Sequence, residues 1–208
     1  MLALEELWVS QARAGDLEAF GRLVERHQAR VFNLLCKLVG DRQEAEDLAQ
    51  DVFLQAFQAL PGYRGEAAFA TWLYRIAVNR SLDHLRRLRS PARRPVSLDG
   101  LPAEGVRPEP VASGAGPEQE VVGREARRRV REEVAALPEN YRLPVILHHF
   151  QGLSLQEVSQ VLQLPIRTVE TRLYRAKKTL RQRLKDLWPG GEAGAQANQP
   201  RPVSGYLD

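Results

Sequence analysis

At 208 residues the chain has room for one or two domains, each burying a modest core, and its single cysteine, Cys36, excludes a disulfide framework and a cysteine-based zinc site. Charged residues make up 27% of the chain, yet the formal net charge is only +4, so the distribution of charge says more than its total. No window approaches the ~18 apolar residues of a membrane span and the N-terminus lacks an apolar signal core, so the expectation is a soluble, cytoplasmic chain without membrane insertion.

Three segments carry the imbalance. Residues 61–94 hold eight arginines against Glu66 and Asp83, a net of +6. Residues 166–185 hold eight lysines or arginines against Glu170, a net of +7. Residues 41–51 run the other way, with five acids against Arg42, a net of −4. Two basic patches and one acidic patch predict nucleic acid as one partner and a basic protein as another.

In chain order, residues 4–14 read as a short helix ending near Gly15, with Asp16 as the N-cap of the next. The second helix, 17–39, carries Phe20, Leu23, Val24, His27, Val31, Leu34, Leu35 and Leu38 at three- and four-residue steps, and Gly40-Asp41 closes it. His27 on this stripe reads as a satisfied, partly buried histidine, and Cys36 as a buried inert thiol. A third helix, 42–59, buries Ala45, Leu48, Val52, Ala56 and Ala59. Residues 60–65 have the turn chemistry of a loop.

Residues 69–89 contain no proline or glycine and form one long helix. At about 100° per residue, Phe69, Trp72, Leu73, Ile76 and Ala77 share one face, which further along carries Arg80, Asp83 and Arg87. Leu82, Leu85 and Leu88 lie well round the helix. The pattern predicts a helix packed in its first half and offered to a polyanion in its second. Ion pairing among Arg80, Asp83 and Arg87 is the plainer alternative.

Residues 95–120 contain five prolines, four glycines and few large apolar side chains, the composition of a flexible linker. Helical pattern resumes near Glu118. Pro138 is expected at a first helical position, with Pro144 bending the helix that follows. His148 and His149 lack metal-ligand spacing and read as packing and surface. Ser154 and Glu157 form a capping box, the run 163–165 breaks the chain, and a last helix buries Val169, Leu173, Ala176 and Leu180. Two short helices about a tight break, the second basic outside, predict a helix-turn-helix. From Pro189 onward the chain reads as a disordered tail. No period-2 apolar alternation occurs. The fold class is therefore all-α: two small helical domains joined by a flexible linker, the C-terminal one a helix-turn-helix. The expected bounds are 1–90, 91–117 for the linker, 118–188, and 189–208 for the tail.

Four stretches together resemble the extracytoplasmic-function group of bacterial sigma factors. The acidic segment 41–57, DRQEAEDLAQDVFLQAF, is similar to the region 2.2 helix of that family, and 65–80, GEAAFATWLYRIAVNR, to its regions 2.3 and 2.4. The segments 137–142, LPENYR, and 152–177, GLSLQEVSQVLQLPIRTVETRLYRAK, are similar to region 4. Their order and spacing over roughly residues 10–187 carry the resemblance. Ile166-Arg167 after the proline and an acid at Glu170 depart from the family's common residues.

The resemblance implies no enzyme, no catalytic residues, no cofactor and no metal. It implies docking on core RNA polymerase, at the clamp coiled coil through Glu44, Asp47, Leu48 and Asp51, and at the flap through region 4. The −10 element of promoter DNA, taken as single strand, would meet Tyr63, Arg64, Trp72, Arg75, Asn79, Arg80 and Arg86. Tyr63, on the loop, is the better stacking candidate, whereas Trp72 more naturally holds the core. The −35 element would meet Arg167, Thr168, Glu170, Thr171, Arg172, Tyr174, Arg175 and Lys178, with Lys177 and Arg181 as further phosphate contacts. An anti-sigma factor is expected as a further partner. As a coil, the linker would span about 30 Å, and fully stretched roughly 90 Å. The rival from another class is a dimeric helix-turn-helix regulator binding duplex operators by itself. A carboxylate-metal nuclease would need acids beyond the one helix that holds them.

Overall fold

Side-chain caps set the helix boundaries of the N-terminal half. In the computed structural model, which describes residues 2–89 and 117–185, helix α1 is Leu2–Arg13, α2 is Leu17–Val39, α3 is Arg42–Ala59 and α4 is Phe69–Arg89. The Asp16 carboxylate accepts from the backbone N–H of Glu18 (2.9 Å) and Ala19 (3.1 Å) at the start of α2. Asp41 accepts from Glu44 N–H (2.9 Å) at the start of α3. Each cap satisfies amide groups that would otherwise have no intrahelical partner.

Helix α2 buries Ala19, Leu23, His27, Val31, Leu34, Leu35 and Leu38. Phe20 is half-buried and meets Phe57 of α3 edge-on, ring centres 5.0 Å apart. Cys36, expected to be buried, is half-buried, and burial still pushes its thiol pKa upward, so it stays protonated and inert. Helix α3 buries Ala45, Leu48, Val52 and Ala56. Ala59 is exposed, contrary to expectation. The chain there enters a 3-10 turn, Leu60–Gly62, and Leu60 fills the core position instead.

Helix α4 packs on α2 and α3 through Phe69, Trp72, Leu73, Ile76 and Ala77, the face expected from the sequence. A second stripe is also buried: Thr71, Tyr74, Val78 and Ser81, on the opposite side of the helix. Helix α7 of the C-terminal half packs on α4, so α4 is a shared wall and not a surface helix rooted by one face. Leu82 and Leu85 are half-buried and Leu88 is 56% exposed.

The C-terminal half comprises α5 (Pro117–Ala135), α6 (Glu139–Val145), α7 (Leu155–Leu162) and α8 (Ile166–Arg183). Pro138 is the N-cap of α6, one position before the expected one. Directly after Pro144 the helix widens into a π turn, Ile146–Phe150, in which Gln151 N–H reaches back five residues to Ile146 C=O (3.0 Å). Pro144 has no N–H to donate and its ring crowds the preceding turn, and the expected bend takes this form. His148 Nδ1 lies 2.7 Å from Leu153 C=O and helps close the turn, while His149 is exposed.

The capping box forms at α7: Ser154 Oγ accepts from Glu157 N–H (3.2 Å) and Glu157 Oε2 accepts from Ser154 N–H (2.8 Å). Gln163 then adopts φ 53°, a left-handed conformation, which turns the chain sharply into α8. Helix α8 packs on α6 and α7 through Val169, Leu173 and Ala176, with Leu180 half-buried. No strand occurs among the described residues. The expectations for the linker before Pro117 and for the tail from 189 onward lie outside the described residues.

His27 is buried but less satisfied than its sequence pattern suggests. Its Nε2 is 3.3 Å from Glu5 Oε1, within ion-pair range, yet neither ring nitrogen makes an aligned hydrogen bond to a protein atom. Burial pushes its pKa below the usual 6.5, with Arg26 and Arg30 acting the same way and Glu5 opposing. The folded chain therefore binds this proton more weakly than the unfolded chain, and stability contributed by the neutral ring is lost as pH falls below about 6.5. Urea unfolding at about pH 7.5 and about pH 5.5 should show a drop for the parent and a smaller drop for His27→Gln. Equal drops would remove His27 from the account.

Candidate nucleic-acid and polymerase interfaces

The loop between α3 and α4 is held in shape by one aromatic side chain. Gly65 takes φ 74°, which a side chain would resist, and lets the loop double back. Tyr63 O–H donates to Ala67 C=O at 2.6 Å across that turn. Its ring lies 5.1 Å from Trp72 and 6.0 Å, edge-on, from Phe69. Phe69 in turn contacts Trp72 (5.5 Å) and His27 (5.4 Å). Burial raises the Tyr63 pKa, so the hydroxyl stays a donor. Tyr63 is thus part of the wall and not a free stacking platform, a change from the sequence reading.

That wall borders an open cavity of about 260 Å³, lined by Tyr63, Arg64, Thr71, Trp72, Arg75 and, from α7, Gln160. Four of the predicted −10 residues, Tyr63, Arg64, Trp72 and Arg75, therefore meet at one place. Asn79 and Arg86 are exposed along the same edge of α4, one and three turns beyond Arg75. Arg80 is drawn away. Its Nη2 lies 2.9 Å from Asp51 Oδ2 of α3, so the predicted phosphate contact is an interhelical ion pair. Arg86 pairs with Asp83 at 3.0 Å, not Arg80 or Arg87 as the plainer alternative expected.

On α3, Asp47 and Asp51 are exposed and Glu44 is half-buried, its Oε2 3.1 Å from His84 Nε2. Leu48 does not share their surface. It is 7% exposed and belongs to the core, because it sits on the stripe with Ala45 and Val52. Sequence reasoning missed Leu54, which is 59% exposed and follows Asp47 and Asp51 at helical spacing. Its absence from the Ala45–Val52–Ala56 stripe was the available signal. Thr71 and Gln160 were also missed, since only the tertiary fold brings them to the cavity.

On α8, Arg167, Glu170, Thr171, Tyr174, Arg175, Lys177, Lys178 and Arg181 are exposed, Tyr174 at 70%. Thr168 and Arg172 are half-buried at the edges of that surface. Thr171 Oγ1 donates to Arg167 C=O (2.8 Å), which leaves its lone pairs for an incoming donor. Among the described residues no helix is long and apolar enough to cross a membrane, and no three His, Cys, Asp or Glu side chains are placed to hold a metal ion.

A basic helix-turn-helix and a second basic edge beside an aromatic cavity mark the chain as a helical DNA-binding protein, and α3 adds an exposed acidic face. Comparison with known proteins carries this further. The chain matches the family models "Sigma-70 region 2" over residues 23–90 and "Sigma-70, region 4" over 127–180. It is 32% identical to the ECF RNA polymerase sigma factor SigW of Bacillus subtilis, over 86% of this chain and 96% of that one. It is 35% identical to the RNA polymerase sigma-H factor of Pseudomonas aeruginosa, over 86% and 93%. Among solved structures it is similar to CnrH in complex with the cytosolic domain of CnrY, with 26% identity, a TM-score of 0.64, and coverage of 88% of this chain and 98% of that one. The chain belongs to the extracytoplasmic-function group of sigma-70 factors.

The two readings of α3 differ in what they predict for stability. Leu48→Ala removes buried methyl groups and should cost about 2–5 kcal/mol in urea unfolding. Asp47→Asn, on the exposed side, should stay within about 0.5 kcal/mol. A silent Leu48→Ala would return that side chain to the surface.

Proposed function

We propose that this chain is an alternative sigma factor: it binds core RNA polymerase, directs it to a promoter and takes part in opening the −10 element. The observation that carries the reading is the convergence of Tyr63, Arg64, Trp72 and Arg75 on one cavity in a chain that also carries a basic recognition helix. The cavity supplies aromatic edges and two guanidinium groups, suited to a base removed from its stack and to the phosphates beside it. Asn79 and Arg86 extend the track along α4. Helix α8 offers arginines for guanine edges and Glu170 for a cytosine amino group, while Lys177, Lys178 and Arg181 suit phosphate.

In this reading Asp47, Asp51, Glu44 and the neighbouring Leu54 form the docking face for the clamp coiled coil, and the region 4 helices seat on the flap. Residues 1–90 and 118–188 act as the two functional units and 91–117 as the tether between them, with 189–208 outside both. The protein works in the cytoplasm, as a binding factor and not an enzyme, and is held in check by an anti-sigma factor. A self-sufficient dimeric regulator is not favoured, because the acidic face then has no role. Promoter-dependent transcripts appearing only when the chain is added to core polymerase test the proposal, and operator binding without polymerase would favour the rival.

Charge reversal tests the docking face. Asp47→Lys with Asp51→Lys should abolish retention by core polymerase with unchanged helical content in circular dichroism, since like charges across a desolvated interface are costly. Undiminished retention would discard the assignment. On α8, Arg175→Ala should cost about 1–3 kcal/mol in holoenzyme binding and relax preference at one −35 position. Lys178→Ala should weaken all sequences alike, and the same uniform loss from Arg175→Ala would demote that residue to a phosphate contact.

A further inference from the structure

Helix α8 carries one acid among its bases. Between residues 166 and 185, Glu170 stands against eight lysines and arginines. It is exposed, as is Arg167 three residues before it, and helical spacing puts the two on one side of the helix. Elsewhere in this chain an acid and an arginine three apart close on each other: Asp83 and Arg86 at 3.0 Å, Glu125 and Arg128 at 2.6 Å. Arg167 and Glu170 do not. Their side chains are free of ion pairs and hydrogen bonds among the described residues. Here the base precedes the acid, the weaker order on a helix. Arg167 also lies in the first turn of α8, where the helix dipole disfavours a cation. One turn on, Glu170 meets only Tyr174, which is uncharged and 70% exposed. The fold uses neither charge.

We infer that Arg167 and Glu170 form one reading head, a guanidinium fork beside a carboxylate, that selects a cytosine and a neighbouring guanine in the duplex −35 element. This rests on the reading of α8 as the recognition helix. Three residues advance about 4.5 Å along a helix, close to the roughly 3.4 Å between stacked base pairs, so the two side chains address adjacent pairs. In the major groove guanine presents two acceptors, N7 and O6, which suit the Arg167 fork. Cytosine presents an amino donor, which suits the Glu170 carboxylate. Thymine and guanine would turn an acceptor toward that carboxylate, and adenine sets its N7 acceptor beside its amino group. Phosphate repels it as well. An acid at this place therefore gives up general affinity and gains selectivity, because it is tolerated only where an amino group meets it.

Exchanging the acid tests which base it reads. Core polymerase carrying the full-length chain selects from a pool of duplexes randomised across the promoter, and the retained DNA is sequenced. The parent should favour cytosine at one −35 position by about five- to 150-fold. At that position alone, Glu170→Gln should move the preference to adenine and Glu170→Arg to guanine, following the donors and acceptors each side chain offers. Arg167→Ala should relax a guanine at the neighbouring pair and leave the cytosine. A −35 motif that neither Glu170 variant alters would overturn the inference while leaving α8 as the recognition helix. So would a gain in binding that Glu170→Gln spreads equally over all sequences, since the acid would then only repel. Were the parent to retain DNA with no shared motif on the −35 side, the role of α8 itself would fall, and the reading head with it.

Discussion

Helix α4 is gripped from two opposite sides, and the rest of the molecule follows from that constraint. Its inner stripe, from Phe69 to Ala77, is held by α2 and α3, and its outer stripe, from Thr71 to Ser81, by α7. Burial of each large apolar side chain on the inner stripe contributes roughly 1.5–3 kcal/mol, so the helix cannot roll or slide without losing several contacts together. What remains between the stripes is a narrow edge carrying Arg75, Asn79 and Arg86. A surface so confined can present only a few groups, in fixed order. The loop before it is equally constrained, because the Tyr63 hydroxyl ties it across to Ala67 and its ring rests on Trp72.

One ion pair and one close contact link the acidic helix to α4: Asp51 pairs with Arg80 at 2.9 Å, and Glu44 Oε2 lies 3.1 Å from His84 Nε2. Arg80 and Asp51 keep a third and a half of their side-chain surfaces in solvent, and pairs so exposed contribute only about 0–1 kcal/mol. They hold the two helices in register without locking the charges to each other.

Most of the fold was legible because it is written in caps and periodicity. Asp16, Asp41 and the Ser154–Glu157 box mark helix starts through local hydrogen bonds that neighbouring residues alone determine. The bounds of α2, α3 and α4 follow accordingly. The readings that changed are those that depend on tertiary contact. Leu48 carries a core stripe and stands beside acids in sequence, and only the packing against α2 and α4 decides between them. Tyr63 looked available because it lies in a glycine-bounded loop, yet its partners Phe69 and Trp72 come one turn later from another element. The outer stripe of α4 reads as Thr, Tyr, Val and Ser, too polar to announce burial, and its cover comes from a helix some eighty residues downstream.

The outer stripe is as buried as the inner one but carries three hydroxyl groups, on Thr71, Tyr74 and Ser81, beside the apolar Val78. Ser81 Oγ donates to Val78 C=O within α4 at 2.8 Å, and Arg30 of α2 stands near the Tyr74 hydroxyl. Neither contact involves α7, and Val78 is the one purely apolar side chain of the four. The inner stripe, set against α2 and α3, is Phe, Trp, Leu, Ile and Ala, and its cohesion rests on apolar burial.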